Sequence, residues 1–156
     1  MVVSGVAGQE IRADCSNDAS FWVAMEQVWV EFSTEEEKPL VIAAWVAESP
    51  EQRARGFLGV CPGLVIERSL LFSFPVPVHS NFHMAGVAVP LDIAFIDLSG
   101  QVVDIQRMNL QESNQPIRYY RPDAEFHFAL ETVAGRLDQL RSNPGLWRMR
   151  VSNRNL

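Results

Sequence analysis

Apolar and polar residues alternate with the period of a β-strand over much of the chain after residue 20. Val28, Val30 and Phe32 share one face of the first such stretch, and Trp29 and Glu31 share the other. A charged turn over 34–38 leads into an apolar run over 40–47, which predicts a hairpin with a buried second strand. Further strands are predicted over 69–74, 81–89, 91–98, 101–108, 124–130 and 147–151, with a hairpin turn at Ser99-Gly100.

Two short helices complete the predicted elements. Ser49 as N-cap, Pro50 in the first turn and Gln52 three residues after the cap predict a helix over 50–58, with a stop at Pro62-Gly63. Apolar residues at helical spacing predict a second helix over 132–141. We therefore expect a mainly β (α+β) fold, a compact antiparallel sheet or barrel-like domain of about seven or eight strands. Residues 1–20 are predicted to be a loose arm, 21–151 a single domain and 152–156 a C-terminal tail.

Composition limits the class of partner. The chain has 156 residues, with 13 Lys and Arg against 19 Asp and Glu and a formal net charge of −6. Nucleic-acid affinity needs clustered basic residues, so we expect no nucleic-acid partner. Residues 1–51 carry ten acidic and two basic side chains, whereas residues 136–156 carry one and five. We interpret the basic end as a solvated tail, with contact to an acidic partner as the alternative.

The cysteines and the absence of long apolar runs bear on location. Cys15 and Cys61 form no C-x-x-C motif, and two unpaired thiols are predicted, with one long-range disulfide left open. The first twenty residues lack a signal-peptide pattern, and the longest apolar run, 40–47, is far shorter than a bilayer requires. We therefore predict a cytoplasmic protein without a membrane span.

Several separate pieces of the chain carry a family resemblance. They are Arg53-Ala-Arg-Gly-Phe-Leu58, Ser69-Leu-Leu-Phe-Ser-Phe74, Phe82-His-Met84, Val89-Pro-Leu-Asp-Ile-Ala-Phe-Ile-Asp97 and Gly100-Gln-Val-Val-Asp-Ile105. The order and spacing of these pieces resemble the sequence pattern of the DUF192 family of uncharacterised proteins, and the resemblance covers about residues 28–140. The resemblance implies a compact, mainly β domain with a helix carrying the R-x-R-G piece, and it implies no established activity.

The chain also departs from the pattern of that family. A lysine and an asparagine at the polar centre of the family pattern are replaced by Ala85 and Gly86, and a cysteine-containing loop is replaced by residues 111–116. Any ligand use of those groups in relatives is lost or changed in this chain.

Asp92 is the most informative single residue, because it interrupts an apolar run. A buried carboxylate is costly unless it is paired or hydrogen-bonded. We favour a structural role, in which Asp92 accepts backbone N–H groups beside Pro90 or pairs with an arginine such as Arg55. The alternative is a catalytic acid or base with a perturbed pKa.

Other chemistry finds little support in the sequence. His79 and His83 are four residues apart on a predicted strand, which places them too far apart for one metal ion, so no metal is predicted. No nucleophile motif and no phosphate-binding glycine loop is present, and we predict no cofactor.

Our leading hypothesis is a non-enzymatic binding or interaction module for an unknown small molecule or protein. Its candidate ligand-binding residues are Arg55, Asn81, His83, Met84 and Asp92. One alternative is a small hydrolase-like enzyme using Asp92 and His83, which requires the two side chains to converge on one cleft. The other alternative is a structural subunit of a larger assembly that uses both ends of the chain as contacts.

Overall fold

A computed structural model describes residues 15–18 and 20–153, and in this part of the chain nine strands are connected by short helices. The strands are β1 (Gln27–Ser33), β2 (Leu40–Ala47), β3 (Leu70–Val78), β4 (Phe82–His83), β5 (Leu91–Ile96), β6 (Val102–Met108), β7 (Tyr119–Tyr120), β8 (Phe126–Val133) and β9 (Arg148–Asn153). The α-helices are α1 (Ser20–Val23), α2 (Pro50–Arg55), α3 (Pro62–Glu67) and α4 (Asp138–Arg141), and a 3-10 turn spans Pro144–Leu146.

Seven of these strands form one curled sheet, a half-barrel, in the order β6-β5-β8-β3-β2-β1-β9. All neighbours are antiparallel except β2 and β3, and β4 pairs separately with β7. The predicted mainly β, barrel-like fold is confirmed. The two edge strands, β6 and β9, meet at their first residues. Here Val102 N donates to Trp147 O (3.1 Å), and Met149 N donates to Gly100 O (2.7 Å). Gly100 has φ +89°, which the hairpin turn requires and which favours glycine. An added Cβ at this position would lie 2.6 Å from Met149 O, so the contact between the edge strands also requires glycine.

The sheet has two buried faces. On the barrel face, one apolar cluster reaches both edge strands through Val102 and Met149 and is covered by Leu137, Leu140 and Trp147. On the helix face, a second cluster packs the sheet against the α1 to α3 region and β4, and it includes Trp22, Phe57, Val65, Phe72, Met84, Phe95 and Phe126. Because strand residues alternate between faces, neighbours along β5 and β8 belong to different cores.

The oppositely charged segments of the chain are neighbours in the sheet. Strand β9 pairs with β1, which places Arg150 opposite Glu31 and Arg148 opposite Ser33. The basic segment is therefore part of an edge strand as far as Asn153, rather than a solvated tail from Arg148 onward. Opposite charges on adjacent strands favour this pairing by a fraction of a kcal/mol, on the order of 0.2–1 kcal/mol.

Helix α2 forms as its local sequence predicts. The Ser49 side chain accepts a hydrogen bond from Gln52 N (3.1 Å), and the Gln52 side chain accepts one from Ser49 N (3.0 Å), which completes a capping box. The helix ends earlier than residue 58, because Gly56 adopts φ +48° and leaves the helical region.

Two predicted elements are wrong in extent. Residues 132–141 do not form one helix: β8 continues to Val133, where it pairs with β5, and only Asp138–Arg141 is helical. The predicted strand over 81–89 shrinks to β4, because the chain turns at Gly86 (φ +77°).

Helices α1 and α3 were not predicted. Pro62 and Gly63 start α3 instead of stopping a helix, since proline suits the first helical turn, where its missing N–H has no partner to lose.

Cys15 and Cys61 form a disulfide, so the prediction of two unpaired thiols is wrong. Backbone hydrogen bonds hold the two segments in register beside it, from Ser16 N to Gly59 O (2.7 Å) and from Cys61 N to Ser16 O (3.0 Å). Most of the predicted loose arm lies outside the described residues, but residues 15–18 are attached to the domain through these contacts. No helix in the described part is long and apolar enough to cross a membrane.

Candidate functional site

A pocket of about 240 Å³ lies on the helix face between α2, β4 and β8. Its lining combines cationic and polar groups with aromatic side chains and one acid, and we call it the Glu131 pocket. The lining residues are Arg53, Ala54, Arg55, Gly56, Phe57, Leu58, Phe72, Asn81, Phe82, His83, Ala85, Val87 and Glu131. Pockets for drug-sized ligands measure about 300–1,000 Å³, so this volume suits a smaller molecule.

Glu131 is the buried acid of this pocket. The register of the sheet places it between Leu70 of β3 and Ile93 of β5, both fully buried. The side chain is only 5% exposed, and no described side chain or backbone N–H donates a hydrogen bond to it. Burial alone raises the pKa of Glu131 to about 8. The protein thus holds a protonated carboxylic acid at neutral pH against an apolar wall of the pocket.

The course of β8 explains why an acid points into this face. Leu130 and Thr132 belong to the barrel face, so Glu131 between them must belong to the helix face. Thr132 satisfies its own hydroxyl through Ser69 Oγ (2.9 Å), whereas Glu131 has apolar neighbours on both adjoining strands.

Arg53 is committed to holding the pocket wall in place. Its Nη1 donates to Ser73 O (3.0 Å) and to Glu48 O, and its guanidinium carbon lies 4.9 Å from the centre of the Phe74 ring. These bonds connect the last turn of α2 to β3. Arg53 therefore fixes the distance between the helix and the sheet.

Arg55 borders the pocket, and its charge helps to lower the pKa of the Asp18 carboxyl group, after the larger effect of the hydrogen bonds from Ser20. Its guanidinium lies over the Phe21 ring, 4.0 Å from the ring centre, and none of its N–H groups has a hydrogen-bond partner among the described residues. A guanidinium stacked on a ring keeps its in-plane donors directed outward, where they can bind a carboxylate or phosphate.

His83 and Asn81 lie across the pocket from α2. His83 Nδ1 accepts a hydrogen bond from Ala85 N (3.2 Å), which places the proton of the neutral ring on Nε2 and makes that nitrogen a donor. The ring stacks edge-on against Tyr119 (6.3 Å between centres). Asn81 is exposed at the rim. Arg55, Asn81 and His83 are thus brought together in one pocket.

Asp92 and Met84, the other two predicted site residues, lie elsewhere. Met84 is buried in the helix-face core. Asp92 is fully buried and points to the barrel face, where Arg107 Nε donates to it (2.6 Å) together with the backbone N–H groups of Gly135 (2.8 Å) and Leu137 (3.3 Å). The favoured structural role of Asp92 fits these contacts, but its arginine is Arg107 rather than Arg55. That hydrogen bond raises the pKa of the Arg107 guanidinium further.

The hydrolase-like pairing of Asp92 with His83 has no geometric support. The two side chains lie on opposite sides of the sheet, and the Asp92 oxygens are occupied by Arg107 and by backbone donors. His79 contacts Glu125 (3.9 Å), and no cluster of three metal-ligating side chains occurs within residues 15–18 and 20–153.

A second and wider cavity of about 570 Å³ lies at the turn between β1 and β2. It is bordered by Glu35, Glu36, Glu37, Gln101, Leu146 and Arg148, among others. The three glutamates are exposed to solvent, so this cavity contains no buried acid comparable to Glu131.

Residues 31–146 match the DUF192 family, described as "Uncharacterized ACR". No curated protein matches the chain. The fold is similar to that of a putative transcription regulator from Sinorhizobium meliloti 1021, with a TM-score of 0.67, 23% identity, and coverage of 81% of this chain and 95% of the other. It is also similar to a protein of unknown function from Novosphingobium aromaticivorans, with a TM-score of 0.62, 22% identity, and coverage of 81% and 84%. With most of its strands inside the matched region, the chain belongs to the DUF192 family.

Proposed function

We propose that this protein is a non-enzymatic binding module that holds a small molecule in the Glu131 pocket. The observation that carries the proposal is Glu131 itself, a buried carboxyl group without a partner at the wall of a cavity. Among the described residues no side-chain oxygen or nitrogen is both sealed from solvent and unpaired, so the carboxyl oxygens of Glu131 are open to the cavity, where a polar group of a ligand can reach them.

The surrounding residues support binding rather than catalysis. Asn81, His83 and Arg55 supply hydrogen-bond donors at the rim, and Phe72 and Phe82 supply apolar surface. A pocket of this kind, with a few polar groups on an apolar lining, is the usual form of a small-molecule site. Its described lining contains no serine, threonine, cysteine or lysine that could act as a nucleophile next to His83.

A fragment screen read by protein NMR tests the proposal. A mixed set of anionic, cationic, zwitterionic and neutral fragments is added to ¹⁵N-labelled protein, and backbone amide shifts are mapped on the sequence. We expect hits that shift the amides of residues 53–58, 81–87 and 131. Hits that shift only residues 33–37 and 145–148, or no hits at all, would contradict the proposal.

A further inference from the structure

We infer that the ligand of the Glu131 pocket is a small zwitterion, whose cationic amine pairs with Glu131 and whose anionic group pairs with Arg55. This inference rests on the proposed binding function and names its ligand class. It follows from the unequal chemistry of the two sides of the cavity.

The inner side offers a carboxyl group that has no hydrogen-bond partner among the described residues. Glu131 lies between Leu70 and Ile93, is 5% exposed and receives no hydrogen bond from the described residues. An ammonium group offers up to three donors to a single carboxylate, and charge-assisted hydrogen bonds are about twice as strong as neutral ones. Binding in this form converts the protonated acid of the free protein to a carboxylate.

The aromatic walls also suit a cation. Phe72 and Phe82 pack edge to face, with ring centres 5.2 Å apart, and both line the pocket next to Glu131. An ammonium within about 6 Å of a ring centre gains a cation–π attraction that grows as water is excluded. The aromatic lining thus favours the cationic end of a ligand over an anionic end.

The outer side has the opposite preference. Arg55 has donors without a hydrogen-bond partner among the described residues, and His83 offers an Nε2 donor. Arg53 adds positive charge, although its own N–H groups donate to backbone carbonyls. A purely cationic ligand would be repelled by these arginines. A purely anionic ligand could accept one hydrogen bond from protonated Glu131, but its charge would lie against the Phe72 and Phe82 rings, which favour a cation. A molecule with both charges satisfies both sides.

The charged or titratable groups that line the pocket together with Glu131 are Arg53 and Arg55 of α2 and His83 of β4, and burial alone accounts for the raised pKa of Glu131. From the α3 side, Arg68 is directed away, over the Trp22 and Trp45 rings. None of these groups hydrogen-bonds to the carboxyl group, so a proton lost on ligand binding comes from Glu131.

Isothermal titration calorimetry at pH 7 tests the ligand class. The probes are ω-amino acids of increasing chain length, with n-alkylamines and n-alkanoates of matched length as single-charge comparisons. We expect one length of amino acid to bind at least about tenfold more tightly than its matched amine or alkanoate. Titrations in two buffers of different ionisation enthalpy should show release of about one proton per ligand bound.

Matched variants test which residue binds the ammonium end of the ligand and which binds its anionic end. Glu131→Gln should abolish proton release and weaken zwitterion binding by about tenfold or more, and Arg55→Gln should make the zwitterion bind no better than the amine. Glu125→Gln and Arg118→Gln serve as controls, since Glu125 is exposed outside the pocket and Arg118 is stacked on Tyr120 just as Arg55 is stacked on Phe21. Both controls should bind as the wild type does.

An alkanoate that binds as tightly as the best amino acid, or a Glu131→Gln variant that still releases a proton, would overturn the inference. So would the absence of binding by the whole amino-acid series. If fragments of other charge still shift the amides around the pocket, the binding function stands and only the ligand class is refuted.

Discussion

Glu131 is expected to make the folded protein less stable as the pH rises. A salt-bridged acid, whose pKa is lowered on folding, has the opposite effect. Its pKa rises from an unfolded value of 4.5 to about 8 in the folded protein. Between these values the folded state holds a proton that the unfolded state has released, so the free energy of unfolding falls as pH rises. The full difference is on the order of 5 kcal/mol, taking about 1.4 kcal/mol per pKa unit.

Glu131→Gln removes this titration while preserving the shape of the side chain. We expect urea denaturation to show a clear loss of wild-type stability from pH 5 to pH 8, and a smaller loss for the variant. The difference between the two slopes isolates Glu131 from other titrating groups. Glu125→Gln should retain the wild-type slope, and a Glu131→Gln slope equal to that of the wild type would refute the assignment.

The sequence identified part of the pocket at the level of single residues. The resemblance to the DUF192 pattern predicts a polar cluster that includes Arg55, Asn81 and His83, and these three residues line one pocket. The sequence does not predict Glu131 as a site residue, because the predicted strand over 124–130 ends one residue before it. Phe126, Phe128 and Leu130 alternate with Glu125 and His127, and this alternation would place Glu131 on the polar face, so the local pattern contains no signal for its burial.

At the scale of elements, Asp92 connects three of them. It lies on β5, receives Arg107 of β6, and accepts the backbone N–H groups of Gly135 and Leu137 in the turn between β8 and α4. Arg107 also donates to Asp138 (2.7 Å), at the start of α4. The Asp92 carboxylate thus accepts the backbone hydrogen bonds that hold this turn against β5.

Asp92→Ala should destabilise the domain by about 3–5 kcal/mol, because it leaves buried backbone donors and Arg107 without their acceptor. Chemical denaturation would measure this loss. Hydrogen exchange should show faster exchange at Gly135 and Leu137 in particular. Exposed Asp123→Ala is the control, and a loss below about 1 kcal/mol for Asp92→Ala would contradict the role described.

Local signals predicted helix α2 well and the 132–141 segment poorly. The capping box at Ser49 acts within four residues, so the sequence contains all of its determinants. The spacing of Val133, Leu137 and Leu140 fits one continuous helix. It fits equally well a strand that ends at Val133, followed by a turn and a short helix. Pairing of β8 with β5 decides between them, and that contact joins residues about forty positions apart.

At the scale of the whole molecule, the disulfide closes a loop with a sequence separation of 46 residues. Closing a loop of this length reduces the entropy of the unfolded chain and stabilises the fold by about 4 kcal/mol. The prediction of a cytoplasmic protein depends on the lack of a signal-peptide pattern and of a membrane-spanning run, and the prediction of two unpaired thiols is separate from it. Disulfides persist mainly in oxidising compartments, so the bonded cysteines do not support the reducing compartment that two free thiols would indicate.

Adding a thiol reductant should lower the denaturation midpoint of the oxidised protein. A Cys15→Ala/Cys61→Ala variant should have the lower midpoint from the start and should not respond to the reductant. Mass spectrometry after alkylation, without prior reduction, should find neither cysteine alkylated, because both sulfur atoms are in the disulfide. Equal midpoints with and without reductant would contradict a stabilising role.

The order of strands in the sheet also limits when the sheet can be completed during synthesis. Strand β8 lies between β3 and β5, so these two earlier strands acquire their common neighbour only after residue 133 has been made. A ribosome-bound chain ending before that point would expose two unpaired strand edges. Acquisition of the native sheet, and with it the burial of Glu131, is therefore a late event that awaits the last third of the chain.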